Sequence, residues 1–305
     1  MVPWRKILFS LCVFFGTLFL LECGCRLAGL GAKKDIHEDI ANWEREYQGE
    51  FFLYRPQENL INNEGLRDYP HAVLNPGKRP RIVCLGDSVT YGYGLHPKQA
   101  YPWQLQVYLK EHINAEVFNV ALPGWSTRQQ HIAWQRICRK YEPDLAIVGI
   151  CLNDVAEMQN NLAEPPAWLK FAYARFSMVR AVVRPEAAEI AQVEELFEHP
   201  EPARVTNAYD LLFKELDQLK EELDADGVSL LVLVFPFRLQ LEDGAPPPAP
   251  QKRIIDHCTN AGISATDLLS LFGQMDPEEA FLDHDHLTAA ACTLLAQALG
   301  NVVLK

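Results

Sequence analysis

The sequence predicts an α/β fold, in which helices cover both faces of a parallel sheet, and three observations carry this prediction. From residue 81 onward, short apolar runs alternate with segments whose apolar residues recur at helical spacing. The run DLAIVGIC, residues 144–151, is apolar throughout, as strands covered on both faces are. Glycines and polar residues follow these runs, at the strand ends where the binding sites of such sheets lie.

Five apolar runs are predicted to be the strands of this sheet. They cover residues 81–85, 117–122, 144–151, 228–235 and, as the weakest, 262–266. Because all five carboxyl ends of a parallel sheet lie on one edge, residues that follow these strands are expected to meet there.

Helices are predicted between the strands. Tyr101 and Pro102 open one helix, and Ser126 makes a capping box with Gln129 for a second helix, which stops before Pro143. A third helix is expected from about residue 207 to 227, and the last from about 288 to 300.

The alternation is interrupted over residues 155–205, which we predict to be a helical cap inserted into a domain covering 81–305. WLKFAYARFSMVRAVVR (168–184) is expected to form one helix and EAAEIAQVEELFEH (186–199) another, split at Pro185. The first segment is basic and aromatic, so a helix on a membrane surface is an alternative. Its basic residues do not share one tight polar face, which favours the cap. Residues 33–80 contain four prolines and no sustained period, so we predict a tether that docks on the domain edge.

Residues 1–32 are predicted to be a membrane anchor. Arg5 and Lys6 precede an unbroken apolar stretch from Ile7 to Leu21. This stretch is shorter than the roughly 20 residues of a typical span and fits a signal-peptide core, but apolar residues resume after Glu22. No clean cleavage site is present, so an uncleaved anchor is favoured over a cleaved signal. The positive charges place the amino terminus in the cytoplasm, and the domain on the extracytoplasmic, periplasmic side of the cell membrane.

Composition excludes several other classes of protein. The formal net charge is -12, whereas nucleic-acid binding needs a basic surface. Eight cysteines occur without CxxC spacing, so neither a disulfide framework nor a zinc site is predicted. No GK[ST] follows the glycines after residue 86, which argues against a phosphate-binding loop. No cofactor or metal is therefore expected.

Four short blocks place reactive residues at the predicted strand ends. Ser88 follows the first strand, Gly124 the second and Asn153 the third, and Asp283 and His286 precede the last helix. A serine hydroxyl becomes a nucleophile when a histidine accepts its proton, and a carboxylate fixes the tautomer of that histidine. The oxyanion that forms needs donors, and the backbone N–H groups of Ser88 and Gly124 and the amide of Asn153 suit this role.

These blocks resemble, in the same order, the motifs of the SGNH (GDSL-type) hydrolase superfamily. GDSVTYGYG (86–94) resembles the first block, ALPGWSTRQ (121–129) the second and HLTAAA (286–291) the run into the last helix. The resemblance covers roughly residues 81–300 and implies a three-layer α/β/α sandwich of the flavodoxin-like type. INNEGLRD (61–68) resembles a stretch found ahead of the first block in many membrane-anchored members.

The resemblance also implies a role for each residue. Ser88 is implied as the nucleophile, Asp283 with His286 as the catalytic dyad, and Gly124 and Asn153, with Ser88, as the oxyanion hole. The last block contains a second histidine, His284, which competes with His286 for the role of base. A carboxylate three residues before a histidine can fold back onto its ring, which favours Asp283 over the adjacent Asp285.

Purely structural roles for some of these residues remain open. Ser88 could cap a helix, Asp87 could form a turn and Asn153 could belong to an Asx turn. Cys151 stands where the third block usually has glycine, and its side chain could narrow the site or tilt the amide of Asn153. The nearby aromatic side chains, which could pack or line a pocket, are Tyr91, Tyr93 and Trp125.

The sequence thus predicts a membrane-tethered serine hydrolase that cleaves an ester, as an esterase, a lipase-like enzyme or a carbohydrate deacetylase. The expected substrate is a small-molecule or glycan ester. One alternative is an O-acyltransferase that modifies a cell-envelope polysaccharide. A second alternative is an inactive module that binds glycans or supports assembly.

Overall fold

The computed structural model describes residues 4–31, 45–57, 61–157, 166–182, 185–198 and 203–305. The chain forms two compact units. The larger unit consists of Arg45–Ala163 and Glu189–Lys305, and the smaller of Met1–Glu44 and Glu164–Ala188.

The larger unit contains the predicted parallel sheet. The strands are β1 (Arg45–Gln48), β2 (Phe51–Tyr54), β3 (Arg81–Gly86), β4 (Glu116–Ala121), β5 (Leu145–Ile150), β6 (Ser229–Val234) and β7 (Ser264–Asp267). β3 to β7 form one parallel sheet in the order β4-β3-β5-β6-β7. This is the flavodoxin-like order, and its switch point lies at β3, where the chain first crosses to the other side. The α/β fold class and all five predicted strands are confirmed.

The described residues of the two units also form helices. They are α1 (Trp4–Leu27), α2 (Ser88–Tyr91), α3 (Tyr101–Lys110), α4 (Thr127–Ala133), α5 (Leu152–Glu157), α6 (Ala167–Arg175), α7 (Ser177–Val182), α8 (Pro185–Glu198), α9 (Ala203–Asp226), α10 (Ala249–Asn260), α11 (Leu269–Phe272), α12 (Pro277–Ala280) and α13 (Ala289–Val303). β3 and β4 are buried along their whole length, so both faces of the sheet are covered there.

The predicted helix starts and stops are largely observed. Ser126 and Gln129 form the expected capping box at α4, and a π turn and a 3-10 turn extend that helix to Tyr141. The helix expected from about residue 207 begins four residues earlier, as α9. Its buried leucines, Leu212, Leu216, Leu219 and Leu223, lie on one face.

Two helices cover the described residues 167–182, where a single helix was predicted over 168–184. α6 ends at Arg175 and α7 begins at Ser177, with Phe176 extended between them. The carboxylate of Glu22 on α1 accepts hydrogen bonds from the backbone N–H groups of Ser177 and Met178, at 2.9 Å each. A side chain 155 residues away therefore caps α7 and stabilises the break.

The predicted cap over 155–205 divides between the two units. Residues 164–188 belong to the smaller unit with α1, whereas 189–205 belong to the larger unit with the sheet. Residues 158–165, 183–184 and 199–202 of this insertion lie outside the described residues. A role for the insertion in covering a site stays a prediction.

The larger unit begins at Arg45, within the segment predicted to be a tether. β1 and β2 form an antiparallel hairpin, and Phe51, Phe52 and Tyr54 are each at most 2% exposed. The indole N–H of Trp125 donates to the carbonyl of Phe52 at 3.1 Å. Most of the predicted tether is thus an integral part of the larger unit, while residues 33–44 and 58–60 lie outside the described residues.

All eight cysteines are free thiols. Cys12, Cys23 and Cys25 lie on α1, and the buried thiols are Cys84, Cys138, Cys151, Cys258 and Cys292. Burial raises the pKa of these five thiols, so they remain protonated.

Candidate active site

Ser88 is the first residue of α2, directly after β3 at the switch point of the sheet. Asp87 is the N-cap of this helix, and its carboxylate accepts a hydrogen bond from the N–H of Val89 at 2.9 Å. The capping role considered for Ser88 is therefore filled by Asp87. Ser88 Oγ has no hydrogen-bond partner among the described residues, and Ser88 is 8% exposed.

Two glycines make room for the turn that carries Ser88. A Cβ at Gly86 would overlap the side chain of Thr90, and a Cβ at Gly149 on the neighbouring strand would lie 2.6 Å from Thr90 Oγ1. The Thr90 hydroxyl lies 3.2 Å from the hydroxyl of Tyr101. Glycine at 86 is therefore required by the close packing of α2 on the sheet.

Arg67 holds the loop that follows α2. Its guanidinium donates to the carbonyls of Tyr91, Gly92 and Leu95, and it lies 3.8 Å from the centre of the Tyr91 ring. Arg67 is only 3% exposed. The stretch 61–68 thus supports the serine-bearing loop, a role that the sequence did not reveal although the motif itself was visible.

Asp283 and His286 form a close pair before α13. His286 Nδ1 lies 2.9 Å and 2.8 Å from the two carboxylate oxygens of Asp283. Burial raises the pKa of Asp283, but the hydrogen bond and charge of His286 outweigh it, and the pKa falls well below its usual range. With Nδ1 protonated towards Asp283, Nε2 is left as an acceptor. This buried Nε2 has no hydrogen-bond partner among the described residues.

Asp285 lies near the same imidazole but in a different environment. Its Oδ1 is 3.1 Å from His286 Nδ1, and the residue is only 1% exposed. Burial raises the pKa of Asp285 well above its usual range, and the charge of Glu189 adds to this shift. The surroundings therefore favour the ionised form of Asp283 and the neutral form of Asp285, so Asp283 is the carboxylate that can stabilise an imidazolium.

His284, the competing histidine, is engaged with carboxylates. Its Nε2 lies 3.5 Å from Glu189 Oε1 and 3.4 Å from Asp285 Oδ1. Burial lowers the pKa of His284, but its hydrogen bond with Glu189 and the surrounding carboxyl groups raise it to about 8. His284 is therefore largely protonated at neutral pH, which makes it a poor base.

Asn153 is held by two carboxylates. Its Nδ2 donates to Glu189 Oε1 at 2.6 Å and to Asp285 Oδ2 at 3.4 Å, while its Oδ1 is buried without a partner among the described residues. Cys151 contacts the same carboxyl group, with its Sγ 4.0 Å from Asp285 Oδ2. Glu189, from α8, was missed because nothing in the sequence around it points to this edge of the sheet.

Tyr93 links the serine turn to the histidine. Its backbone N–H donates to the carbonyl of Ser88 at 3.0 Å, and its ring centre lies 4.6 Å from that of His286. No hydrogen bond joins Ser88 Oγ and His286 Nε2 within the described part of the chain. Tyr91 and Trp125 are 3% and 1% exposed, so both are packing residues.

Gly124 lies in the loop after β4, the strand beside β3. Its φ of +81° is in the left-handed region, which glycine adopts without strain. Ser88, Gly124 and Asn153 therefore follow three adjacent strands, β3, β4 and β5, at their carboxyl ends.

Two groups of side chains could be considered for a metal ion. Glu189, His284 and Asp285, and likewise Asp283, Asp285 and His286, bring ligand atoms within 4.8 Å of one another. Several of these atoms are already engaged, in the Asp283–His286 pair and in the bond from Asn153 to Glu189. We therefore assign no metal to either group.

A cavity of about 790 Å³ lies elsewhere in the larger unit. It is lined by parts of 56–70 and 96–103 and by two residues of β4, Val117 and Asn119. None of the five sequence-predicted site residues lines it, so this cavity is separate from the candidate active site.

Comparisons with known proteins give one family match and several solved structures of similar fold. A family model described as GDSL-like Lipase/Acylhydrolase family matches residues 84–291, whereas no curated protein matches the chain. Among solved structures, an α/β hydrolase enzyme from the metagenome of Lake Arreo, Spain, is 17% identical, with a TM-score of 0.49 over 74% of this chain and 96% of that chain. A catalytic mutant of an acetylxylan esterase from Geobacillus stearothermophilus is 14% identical, with a TM-score of 0.48 over 72% and 92%. Likenesses this distant carry no argument about substrate.

Proposed function

Because the chain belongs to the GDSL-like lipase/acylhydrolase family, and is thus a hydrolase of the ester-cleaving kind, we propose that it is a membrane-tethered serine esterase with Ser88 as its nucleophile. One observation carries the proposal. The Asp283–His286 pair leaves Nε2 without a partner among the described residues, and Tyr93 contacts both that imidazole and the turn bearing the uncommitted hydroxyl of Ser88.

The proposed reaction passes through an acyl-enzyme. Ser88 Oγ attacks the ester carbonyl while His286 Nε2 takes the hydroxyl proton, and Asp283 stabilises the resulting imidazolium. Collapse of the tetrahedral intermediate breaks the ester bond, and the imidazolium protonates the departing alkoxide. Water then attacks the acyl group, His286 accepts its proton, and release of the acid restores Ser88.

The proposed oxyanion hole consists of the backbone N–H groups of Ser88 and Gly124 and the amide of Asn153. Each donor of this kind can lower the barrier by about 2.7–4 kcal/mol. Asn153 can serve only after its N–H groups leave Glu189 and Asp285. Substrate binding is therefore proposed to displace Glu189.

The membrane tether is proposed to be α1. Among the described residues, α1 is the one helix long and apolar enough to cross a bilayer. Its 24 residues extend about 36 Å, more than the roughly 30 Å of hydrocarbon core. Arg5 and Lys6 precede the span, which favours a cytoplasmic amino terminus and an extracytoplasmic domain.

The test is hydrolysis of a short p-nitrophenyl ester by the purified full chain and by Ser88→Ala. We expect the variant to lose at least about three orders of magnitude in kcat while its thermal unfolding is unchanged. Ser264→Ala, at an exposed position on β7, is the matched control and should retain activity. Undiminished turnover by Ser88→Ala would refute the proposal.

Product analysis separates hydrolysis from the alternatives. Release of free acid in the presence of a polysaccharide acceptor supports the esterase, whereas transfer of the acyl group to the acceptor supports the acyltransferase. Failure of a fluorophosphonate probe to label Ser88 would favour the inactive module.

A further inference from the structure

We propose that α6 and α7 form a hairpin that lies on the outer surface of the membrane, beside the end of α1, with its aromatic side chains among the lipids. We call residues 167–182 the interfacial hairpin. This inference rests on the proposed membrane tether, and it concerns only the smaller unit, in which residues 164–188 are grouped with the anchor.

The charged residues near the end of α1 bind the hairpin directly. Glu22 accepts hydrogen bonds from the N–H groups of Ser177 and Met178, and Arg26 donates to the carbonyl of Arg175 at 3.2 Å. Arg26 also pairs with Glu22 at 2.7 Å. The two charges that interrupt the apolar sequence of the anchor therefore join it to α6 and α7.

Arg180 forms a second attachment. Its guanidinium donates to the carbonyl of Gly31 at 2.7 Å, and to the carbonyls of Tyr173 and Ala174 at 2.7 Å and 3.0 Å. The last carbonyls of a helix usually need water or another donor. Arg180 supplies that donor within the chain, so the end of α6 can lie where water is scarce.

These attachments place the hairpin at the depth of the headgroups. If α1 spans the bilayer, the roughly 36 Å that its 24 residues extend put Arg26, near its end, at the outer edge of the hydrocarbon core. Helices bonded to Glu22 and Arg26 then lie at this boundary, where amphipathic helices bind with their apolar faces inserted.

The exposed surface of the hairpin fits lipid. Trp168 is 70% exposed and Phe171 is 59% exposed, and their spacing of three places them on one face of α6. Val182 on α7 is 83% exposed. Aromatic side chains with such large exposed fractions are uncommon on soluble proteins, whereas they are enriched at membrane interfaces.

The positive charge of the interfacial hairpin also favours a lipid surface as its partner. Residues 167–182 contain Lys170, Arg175 and Arg180 and no acidic residue, although the chain as a whole carries -12. Basic residues on helices at a membrane surface are attracted to anionic lipids. We therefore commit to a lipid surface as the partner of this face.

The test is photocrosslinking of the full chain in vesicles of phosphatidylcholine and phosphatidylglycerol. Benzoylphenylalanine replaces Phe171 or, in a second variant, Trp168, and lipid adducts are quantified by mass spectrometry. Phe19, which is 68% exposed on α1, is the positive control. Leu74, which is 82% exposed in the larger unit, is the matched site at which little adduct is expected.

We expect lipid adducts at 171 and 168 in yields similar to those at 19, and several-fold higher than at 74. Adducts at 19 without adducts at 171 and 168 would overturn the interfacial hairpin, and so would crosslinks from 171 to protein instead of lipid. A lack of adducts at 19 would show that the tether itself is wrong, which is a distinct result. Esterase activity of each variant reports that the larger unit is folded.

Discussion

Two carboxyl groups lie within reach of Nδ1 of His286, and their surroundings shift their pKa values in opposite directions. Asp283 accepts hydrogen bonds from both the ring and the backbone N–H of His286, and these bonds favour its ionised form. Asp285 is fully enclosed beside Glu189, which favours its neutral form. A stabiliser of an imidazolium must be charged, so only Asp283 suits that role.

This difference in pKa predicts different kinetics for two isosteric variants. Asp283→Asn should lower kcat by about three to four orders of magnitude, because the histidine loses its tautomer and its counter-charge. Asp285→Asn should change kcat only a few-fold, because it replaces a neutral group by a neutral group. The check is kcat on a p-nitrophenyl ester for both variants. Equal losses would show that the two carboxylates act as a unit.

A second prediction concerns the pH dependence of stability. The pKa of Asp285 is higher in the folded than in the unfolded chain, so the native state binds more protons above about pH 4 and loses stability as the pH rises. Asp285→Asn removes this loss. Its free energy of unfolding, relative to the parent protein, should therefore increase from pH 4 to pH 8.

Chemical denaturation at several pH values measures this difference. The titratable groups that face Asp285, namely Asp87, Glu189, Asp283, His284 and His286, are present in both proteins. A difference that stays constant between pH 4 and pH 8 would contradict a protonated Asp285 in the native state.

Sequence reasoning at this scale succeeded where spacing along the chain decides the contact. Asp283 precedes His286 by three residues, so their pairing could be expected. Glu189 lies 36 residues from Asn153 and almost one hundred from His284, and Arg67 lies 24 residues from the nearest carbonyl it binds. Local patterns cannot indicate such contacts, because only the tertiary fold brings these residues together.

At the scale of elements, α8 stands out because one of its side chains reaches the strand ends. Glu189 places a carboxylate 2.6 Å from the amide of Asn153, next to the proposed oxyanion hole. A negative charge there opposes the charge of the oxyanion. The proposed role of Asn153 therefore requires a change at α8 during catalysis.

Removal of this carboxylate should increase activity. Breaking a hydrogen bond to a charged group costs roughly 1.5–3 kcal/mol, so Glu189→Ala is expected to raise kcat/KM about ten-fold or more. Glu194→Ala, at an exposed position on the same helix, should have no effect. In an Asn153→Ala background the gain from Glu189→Ala should disappear. A loss of activity in Glu189→Ala would mean that Glu189 positions Asn153 for the reaction.

The same scale shows which elements a sequence can reveal. Four strands of the sheet, β3 to β6, are apolar runs with a turn at each end, and these runs alone predicted them. The fifth, β7, reads SATD and is half-buried or exposed, which is why it was the weakest prediction. β1 reads REYQ and is only four residues long, and β2 owes its burial to contacts such as that with Trp125. The break between α6 and α7 depends on Glu22. Elements that depend on distant partners carry no periodic signal.

For the molecule as a whole, the boundaries of the family match are not those of the folded unit. The match begins at residue 84, but the larger unit begins at Arg45. Burial of Phe51, Phe52, Tyr54 and Leu66, which are all at most 2% exposed, contributes about 6–12 kcal/mol. Typical domains are stable by only about 5–15 kcal/mol, so we expect the larger unit to need this segment for a stable fold.

Two shortened chains test this conclusion. A chain that starts at Arg45 should unfold cooperatively on heating, with esterase activity retained. A chain that starts at Arg81 should show no cooperative transition in circular dichroism, because it lacks the β1–β2 hairpin and Arg67. Cooperative unfolding of the shorter chain would show that the hairpin is dispensable.

The burial of five unpaired thiols has a consequence for how this protein is handled and made. If the domain matures in an oxidising compartment, scrambled disulfides threaten it only while it is still unfolded, because the finished fold seals every thiol of the larger unit. Because the thiols are buried, they can react only when the native domain opens. The rate at which a maleimide consumes them records how often the native domain opens.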